Sequence, residues 1–326
     1  MPHTMADELA LMEDPRKAAV TKGILTAGQV LDKLPVENVN ALETEGFRWK
    51  SLPSVSFNLP NENYTEGTGK IESIAWGVVR IGHDIDIDRI YDKTAHFVKP
   101  KTLYTEQTLE AINFTINDSL LNGDKATNPR GFDGYKKISA GLPARQVVDA
   151  SLAKYGGSGT VLDISAGGAS SAIRQGFFDA LLRAKRVAEG SQPDLAIMNE
   201  NVLDLFDSML RREGLYKVNE DQFEREVTSW KKISFVDAGY KDPDGNALIL
   251  GDDHDVPGNT ALGTSIYFLK LDAKRHCGLI QLQSIDTREM GELQSGPKNR
   301  TRVDWVLGPV VWGKRSLVRL RAIKVA

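Results

Sequence analysis

The chain is poor in the residues that most functional classes require. It has 326 residues and one cysteine, Cys277, which excludes an intrachain disulfide and any multi-cysteine zinc site. A buried, inert thiol is expected there. No apolar run approaches the roughly 18 residues of a membrane-spanning helix, and the N-terminus is acidic where a signal peptide is basic and then apolar. These features predict a protein made and used in the cytosol, with no membrane partner. Only five histidines occur, none near a nucleophile with an orienting acid, and there is neither a Gly-x-Ser-x-Gly elbow nor a His-Glu-x-x-His pair. The sequence therefore assigns no catalytic, cofactor-binding or metal-binding residue, which weighs against an enzyme. Positive charge is also limited: the net charge is −3, whereas a dedicated nucleic-acid binder is usually clearly basic. The exception is local, with Lys298, Arg300, Arg302, Lys314, Arg315, Arg319, Arg321 and Lys324 set against Asp304 alone.

What is present begins with a long amphipathic stretch, 102–122. Leu109, Ile112, Ile116 and Leu120 recur at helical spacing, with Leu103, Phe114 and Leu121 widening the stripe. Thr102 or Thr105 can cap its start, and Asn122-Gly123 ends it, because glycine just past the last turn tolerates the left-handed conformation. Burying about five large apolar side chains contributes roughly 10 kcal/mol before entropy is subtracted. The helix reads as a beam along which the rest of the chain is arranged. A hydrophobic content of 41% with 26% charged residues supplies a core for one large domain or two smaller ones.

Residues 1–45 are weakly patterned, with one helical turn possible at Asp7 to Leu11 and a short helix from Ile24 to Leu34 ahead of Pro35. They read either as a free tail or as an arm ordered against a neighbour. From Phe47 to Ile81 the period becomes two: Val55, Phe57 and Leu59 alternate with Ser54, Ser56 and Asn58, and Ile74, Trp76 and Val78 with Ser73, Ala75 and Gly77, around a polar loop from Pro60 to Gly69. This predicts a long hairpin, and two strands alone have little to bury against. In the strand Gly82 to Asp88, Asp84, Asp86 and Asp88 project to one side and His83, Ile85 and Ile87 to the other. Three like charges in a row need solvent or arginine partners, since a flat strand does not wrap a cation.

Beyond the beam, helices are expected from Ser170 to Glu189 and, capped by Asn199 or Asn201, through Leu210 to Gly214. A buried strand at Pro193 to Met198 lies between them. Further strands are expected at Trp230 to Val236, Ala247 to Leu250, Ser265 to Leu271, Gly278 to Ser284, Val303 to Val311 and Leu317 to Val325. Three stretches mimic ligand sites. Glu66 to Lys70 has the wrong glycine spacing for a phosphate loop, and Ile71 stands where a magnesium-binding hydroxyl belongs. Asp163 to Gly168 lacks the three-glycine dinucleotide pattern. Asp252-Asp253-His254-Asp255 offers metal-ligand types, but adjacent side chains rarely converge on one ion and the surrounding composition is that of a loop.

The order of parts resembles the major capsid proteins of tailed double-stranded DNA bacteriophages, whose fold is shared with herpesvirus shells and encapsulins. The carriers are Leu121-Asn122-Gly123-Asp124 with Asn128-Pro129-Arg130-Gly131-Phe132-Asp133-Gly134-Tyr135, the Asp84 to Asp88 strand, and Arg302-Val303-Asp304-Trp305 with Leu320-Arg321-Ala322-Ile323. The resemblance implies an α+β fold with an N-arm at 1–45, an E-loop at 46–82, a peripheral domain at 83–134 and 263–326 containing the spine helix, and an axial domain at 135–262. It implies a non-enzymatic, cofactor-free subunit that forms pentamers and hexamers and closes an icosahedral shell around the viral genome. An encapsulin-like compartment is the alternative. The implied partners are copies of itself, a portal at one vertex, a separate scaffolding protein, a decoration protein and non-specifically contacted DNA. The implied location is the virion capsid, assembled in host cytoplasm. Only about 45 residues precede the E-loop, which points to the separate scaffold. In one branch of the family an E-loop lysine crosslinks to a neighbour; Lys70 matches by location alone, and no crosslink is predicted.

Overall fold

The computed structural model describes residue 4 and residues 30–93, 100–165, 170–216, 218–220, 226–245, 247–255 and 262–325. The expected turn at Asp7 to Leu11, the start of the helix expected from Ile24, and Ala166 to Gly168 lie outside them. The chain builds two sheets and a separate hairpin. A short helix α1 (Val30–Lys33) leads into β1 (Val36–Asn38), which pairs parallel with β12 (Cys277–Glu292). Here the reading of 1–45 as weakly patterned is corrected for its last part: Val30, Leu31, Leu34 and Val36 are buried in the same core as the spine. Their apolar side chains are too few to stand alone but are completed by β12.

β12 and β13 (Lys298–Val311) form a long antiparallel pair, and β4 (Val79–Asp88) adds on the far side of β13, giving the order β1-β12-β13-β4. Trp305 is buried in this sheet and donates its indole N–H to Gln281 Oε1 at 3.1 Å, while Gln281 donates to Asn38 Oδ1 at 2.8 Å. One polar chain thus ties three strands together, since a buried indole N–H needs a partner. After the short helix α2 (Arg89–Lys93), the spine α3 runs Pro100–Asn122. Leu109, Ile112, Ile116, Leu120 and Leu121 are buried as the periodicity predicts. Three details differ. Thr105 lies inside the helix and donates to Lys101 O at 2.7 Å instead of capping it; Leu103 is exposed; and the buried face includes Asn113 and Asn117, joined amide to amide at 3.0 Å.

The spine ends in a close backbone contact. Gly134 N donates to Gly123 O at 2.8 Å, and a Cβ on Gly134 would sit 2.6 Å from Ser119 O and 2.7 Å from Gly123 N. Asn-Gly-Asp and Phe-Asp-Gly are therefore two halves of one joint that turns the chain into α4 (Tyr135–Ala140).

The second sheet has the order β5-β14-β11-β7-β10-β9-β8, with β6 (Leu162–Asp163) also on β14. Its strands are β5 (Val147–Asp149), β14 (Leu317–Lys324), β11 (Thr264–Leu269), β7 (Leu195–Met198), β10 (Ile233–Asp237), β9 (Glu226–Trp230) and β8 (Val218–Glu220). Helices α5 (Ser171–Val187) and α6 (Glu200–Arg212) pack on it through Phe177, Leu181, Phe206 and Met209. Of the two candidate caps, Asn199 serves: its Oδ1 accepts Val202 N at 2.8 Å. The strand expected at 230–236 is two strands around Lys231-Lys232, both at positive φ. Residues 247–250 form only an isolated bridge, Tyr240 to Leu248, because Asp, Gly and Asn on either side do not sustain a ladder. The sheets also cross the expected boundary at 263, since β11 and β14 hydrogen-bond within the larger sheet.

Gly134→Ala should destabilise by about 2 kcal/mol or more, because backbone must move to admit the methyl. Gly131→Ala, where the nearest atom is 3.4 Å away, should stay within about 0.5 kcal/mol of the parent. Urea unfolding of the two variants side by side checks this; equal loss in both would show that the joint has slack.

Candidate assembly surface

The hairpin is where the structure leaves apolar residues uncovered. β2 (Glu43–Ser51) and β3 (Lys70–Gly77) pair only with each other, in a register that places Phe47 opposite Ser73 and Trp49 opposite Ile71. Phe47, Trp49, Leu52, Leu59, Tyr64 and Ile71 are all exposed, and Val55 and Phe57 reach 91% and 107% relative exposure. Isolated exposed apolar residues are unremarkable, but a contiguous set of this size marks an interaction surface. The first strand does not fall where the alternation of Val55, Phe57 and Leu59 predicts. Residues 52–69 contain no strand, and the paired segment lies earlier, at 43–51. The alternation is real, but Gly67 and Gly69 stand across from it close against Ser54 and Ser51, and Pro53 interrupts the ladder.

The hairpin's root is firmly set. The Trp312 ring lies against Gly46, where a Cβ would be 2.3 Å from a ring carbon, and its indole N–H donates to Ala273 O at 2.8 Å. Lys314 Nζ donates to Lys50 O at 2.9 Å, and Arg48 pairs with Glu72 across the strands at 3.0 Å. Lys70 sits at the tip end of β3, exposed, its backbone N–H donating to Ser51 Oγ at 3.3 Å. A concavity of about 1300 Å³ lies between β4 and the spine and is lined by Ile81, Ile87, Leu103, Tyr104 and Ile112.

The aspartate strand is arginine-paired. Arg302 Nε and Nη2 donate to Asp84 at 2.7 and 2.8 Å, and Arg300 makes the same two-point contact with Asp86 at 2.7 and 2.6 Å. These guanidinium hydrogen bonds hold both carboxyls below the usual range. Elsewhere Arg321 meets Asp149 at 2.8 Å, and the buried Arg319 meets Asp255 at 3.4 Å. The basic excess of the last strands is thus largely spent on internal acids.

The metal-ligand types at 252–255 are pulled apart. His254 is buried with Nε2 2.7 Å from the Tyr267 hydroxyl, while Asp255 accepts Ala322 N at 2.9 Å and faces Arg319. Among the described residues no group of three or more His, Cys, Asp or Glu is placed to hold a metal ion. Burial pushes the His254 imidazole down to about 3, and it pushes the thiol of the buried Cys277 up. Asp163 caps its own turn, accepting Ser165 N at 2.9 Å, and pairs with Lys324 at 3.6 Å.

No protein-family model and no curated protein matches the chain. Solved structures do. The holo-SrpI encapsulin of Synechococcus elongatus superposes with a TM-score of 0.55 at 12% identity, over 90% of this chain and 86% of that one. The capsid of a native GTA particle gives 0.58 at 12% identity, over 88% and 87%. The capsid of the myovirus XM1 gives 0.56 at 14% identity, over 88% and 89%. The chain has the capsid fold common to tailed phages and encapsulins, along nearly its whole length.

Two predictions follow from these contacts. Trp312→Ala should speed proteolytic cleavage within 43–77 while leaving the thermal midpoint of the body within a few degrees; unchanged cleavage would show that the ring does not set the hairpin. The folded state keeps His254 neutral to about pH 3, whereas the unfolded chain protonates near 6.5. Its contribution is therefore complete above that value and is lost as pH falls, by up to roughly 1.4 kcal/mol per unit. His254→Gln should flatten stability between pH 6 and 4, measured by denaturant unfolding at each pH; an unaltered slope would refute this.

Proposed function

We propose that this chain is the major capsid protein of a tailed double-stranded DNA virus, assembling as pentamers and hexamers into an icosahedral shell. The observation that carries the reading is the hairpin. A two-stranded ribbon with eight large apolar residues exposed gains stability only by lying over something else, and an identical neighbour supplies that surface in every subunit. The function is then packing geometry, without catalysis or cofactor. In this reading 1–45 is the N-arm, 46–82 the E-loop, 83–134 with 263–326 the peripheral domain, and 135–262 the axial domain, with β11 and β14 crossing from the peripheral segment into the axial sheet.

The same reading brings a portal at one vertex, a separate scaffolding protein, a decoration protein and assembly in host cytoplasm. It also implies loose contact with packaged DNA. A net charge of −3 suits a wall that contains DNA without gripping it, because many phosphate contacts would immobilise the genome. An encapsulin-like compartment uses the same fold, and no observation favours it.

Deleting 61–69 should leave a subunit whose body melts as before but which forms no closed shells in negative-stain images. Normal shells from that variant would overturn the proposal.

A further inference from the structure

Five cations without an acid partner meet at a place the sequence does not mark. Two adjoining concavities of about 440 and 410 Å³ share Arg145. The first also presents Lys154 and Arg183, the second Lys314 and Arg315. All five are exposed, and among the described residues none lies within ion-pair distance of an acid. The two acids in the linings are already taken, Asp149 by Arg321 and Glu72 by Arg48. The floor is apolar, from Leu142, Pro143 and Val148.

Four separate segments are locked together to make this ledge. Gln146 donates to Leu317 O at 3.1 Å and accepts Arg319 N at 3.0 Å, fixing the Arg145 loop to the turn carrying Lys314 and Arg315. Glu189 N donates to Arg315 O at 2.9 Å, fixing the end of α5 to the same turn. Gly176 of α5 packs so closely under Tyr155 that a Cβ would overlap its carbonyl, which sets Lys154 beside Arg183. The ledge also runs along β5, an edge strand paired on one side only.

The complementary charge lies on a different part of the same sheet. α6 opens with Glu200 and Asp204 exposed, and Asp237, at the end of β10, is half-buried behind them. Asp204 has no cation within ion-pair distance among the described residues, and Glu200 accepts only the Tyr240 hydroxyl. Burial, with Glu200 and Asp204 adding to it, pushes Asp237 up to about 6. β10 is four strands from β5, about 19 Å at the usual strand spacing.

We propose that the basic ledge is the receiving half of a head-to-tail contact between copies of this chain, and that the Glu200 and Asp204 flank of the next copy enters it. The two surfaces differ, so the contact is heterologous and generates a ring when the rotation closes. A second copy is the occupant argued for because the chain itself carries the matching exposed acids, Glu200 and Asp204. Complementary charge at such a contact sets register and partner choice more than raw affinity. The inference rests on the assembly reading and specifies which surfaces meet.

The test uses the full chain and counts assembled particles by sedimentation and negative-stain imaging. Arg145→Glu with Lys154→Glu and Arg183→Glu should lower the assembled fraction about tenfold or more, because the loss at one contact is repeated at every contact of the assembly, with thermal unfolding of the subunit unchanged. Glu200→Lys with Asp204→Lys should do the same. A chain carrying both sets should recover assembly, and a mixture of the two singly reversed chains should yield even-membered rings only, because copies must alternate. Failure of the doubly reversed chain to recover, while the parent assembles and each variant melts normally, overturns this inference and leaves the assembly reading standing. Intact assembly of the ledge variant with less bound DNA would also overturn it, assigning the ledge to nucleic acid instead. A parent that forms no particles removes the assembly reading and this inference together.

Discussion

A two-stranded ribbon cannot cover its own apolar side chains, and that constraint organises the rest of the molecule. Residues 43–77 are held near the root by Trp312 against Gly46 and at the far end of the ladder by Lys314 on Lys50 O, yet the loop beyond presents Val55, Phe57 and Leu59 to water. A monomeric enzyme or binding module would fold such a segment back or replace the residues with charged ones. Here the body spends its effort on making the hairpin project. The long β12–β13 pair supplies the base, and the spine packs against the same core.

Electrostatics serve the body and the surface differently. Inside, arginines of the terminal strands are matched to aspartates across the sheet, Arg300 to Asp86 and Arg302 to Asp84. Exposed pairs of this kind contribute little individually, but they prevent three aligned aspartates from repelling one another and keep the β4 edge charged against unwanted pairing. Outside, five cations without acid partners meet on one ledge, and exposed acids lie on another flank. Such a distribution is of no use to an isolated subunit and is informative for one that sits between two identical neighbours.

The periodic elements were legible from the chain alone. The spine's buried leucines and isoleucines, the Asn199 cap and the alternating faces of the aspartate strand all rest on local spacing and on chemistry within a few residues. The misplacements have physical causes of the same kind. Val55, Phe57 and Leu59 alternate as a strand does, but a strand also needs a partner free of proline and close-packed glycine. Val30 to Val36 looked too sparse to order, and becomes buried because β12, more than two hundred residues away, completes it.

By itself the chain determined which segments are helical or extended, which faces seek the core, and that a single cysteine leaves no intrachain disulfide. Only tertiary structure decided where the charges go. Arg145, Lys154, Arg183, Lys314 and Arg315 are dispersed along the sequence and meet because Gln146, Gly176 and Glu189 close three separate backbone contacts. Local pattern records what each residue does to its own segment; which distant segments become neighbours, and so which charges stay unpaired, is settled by packing.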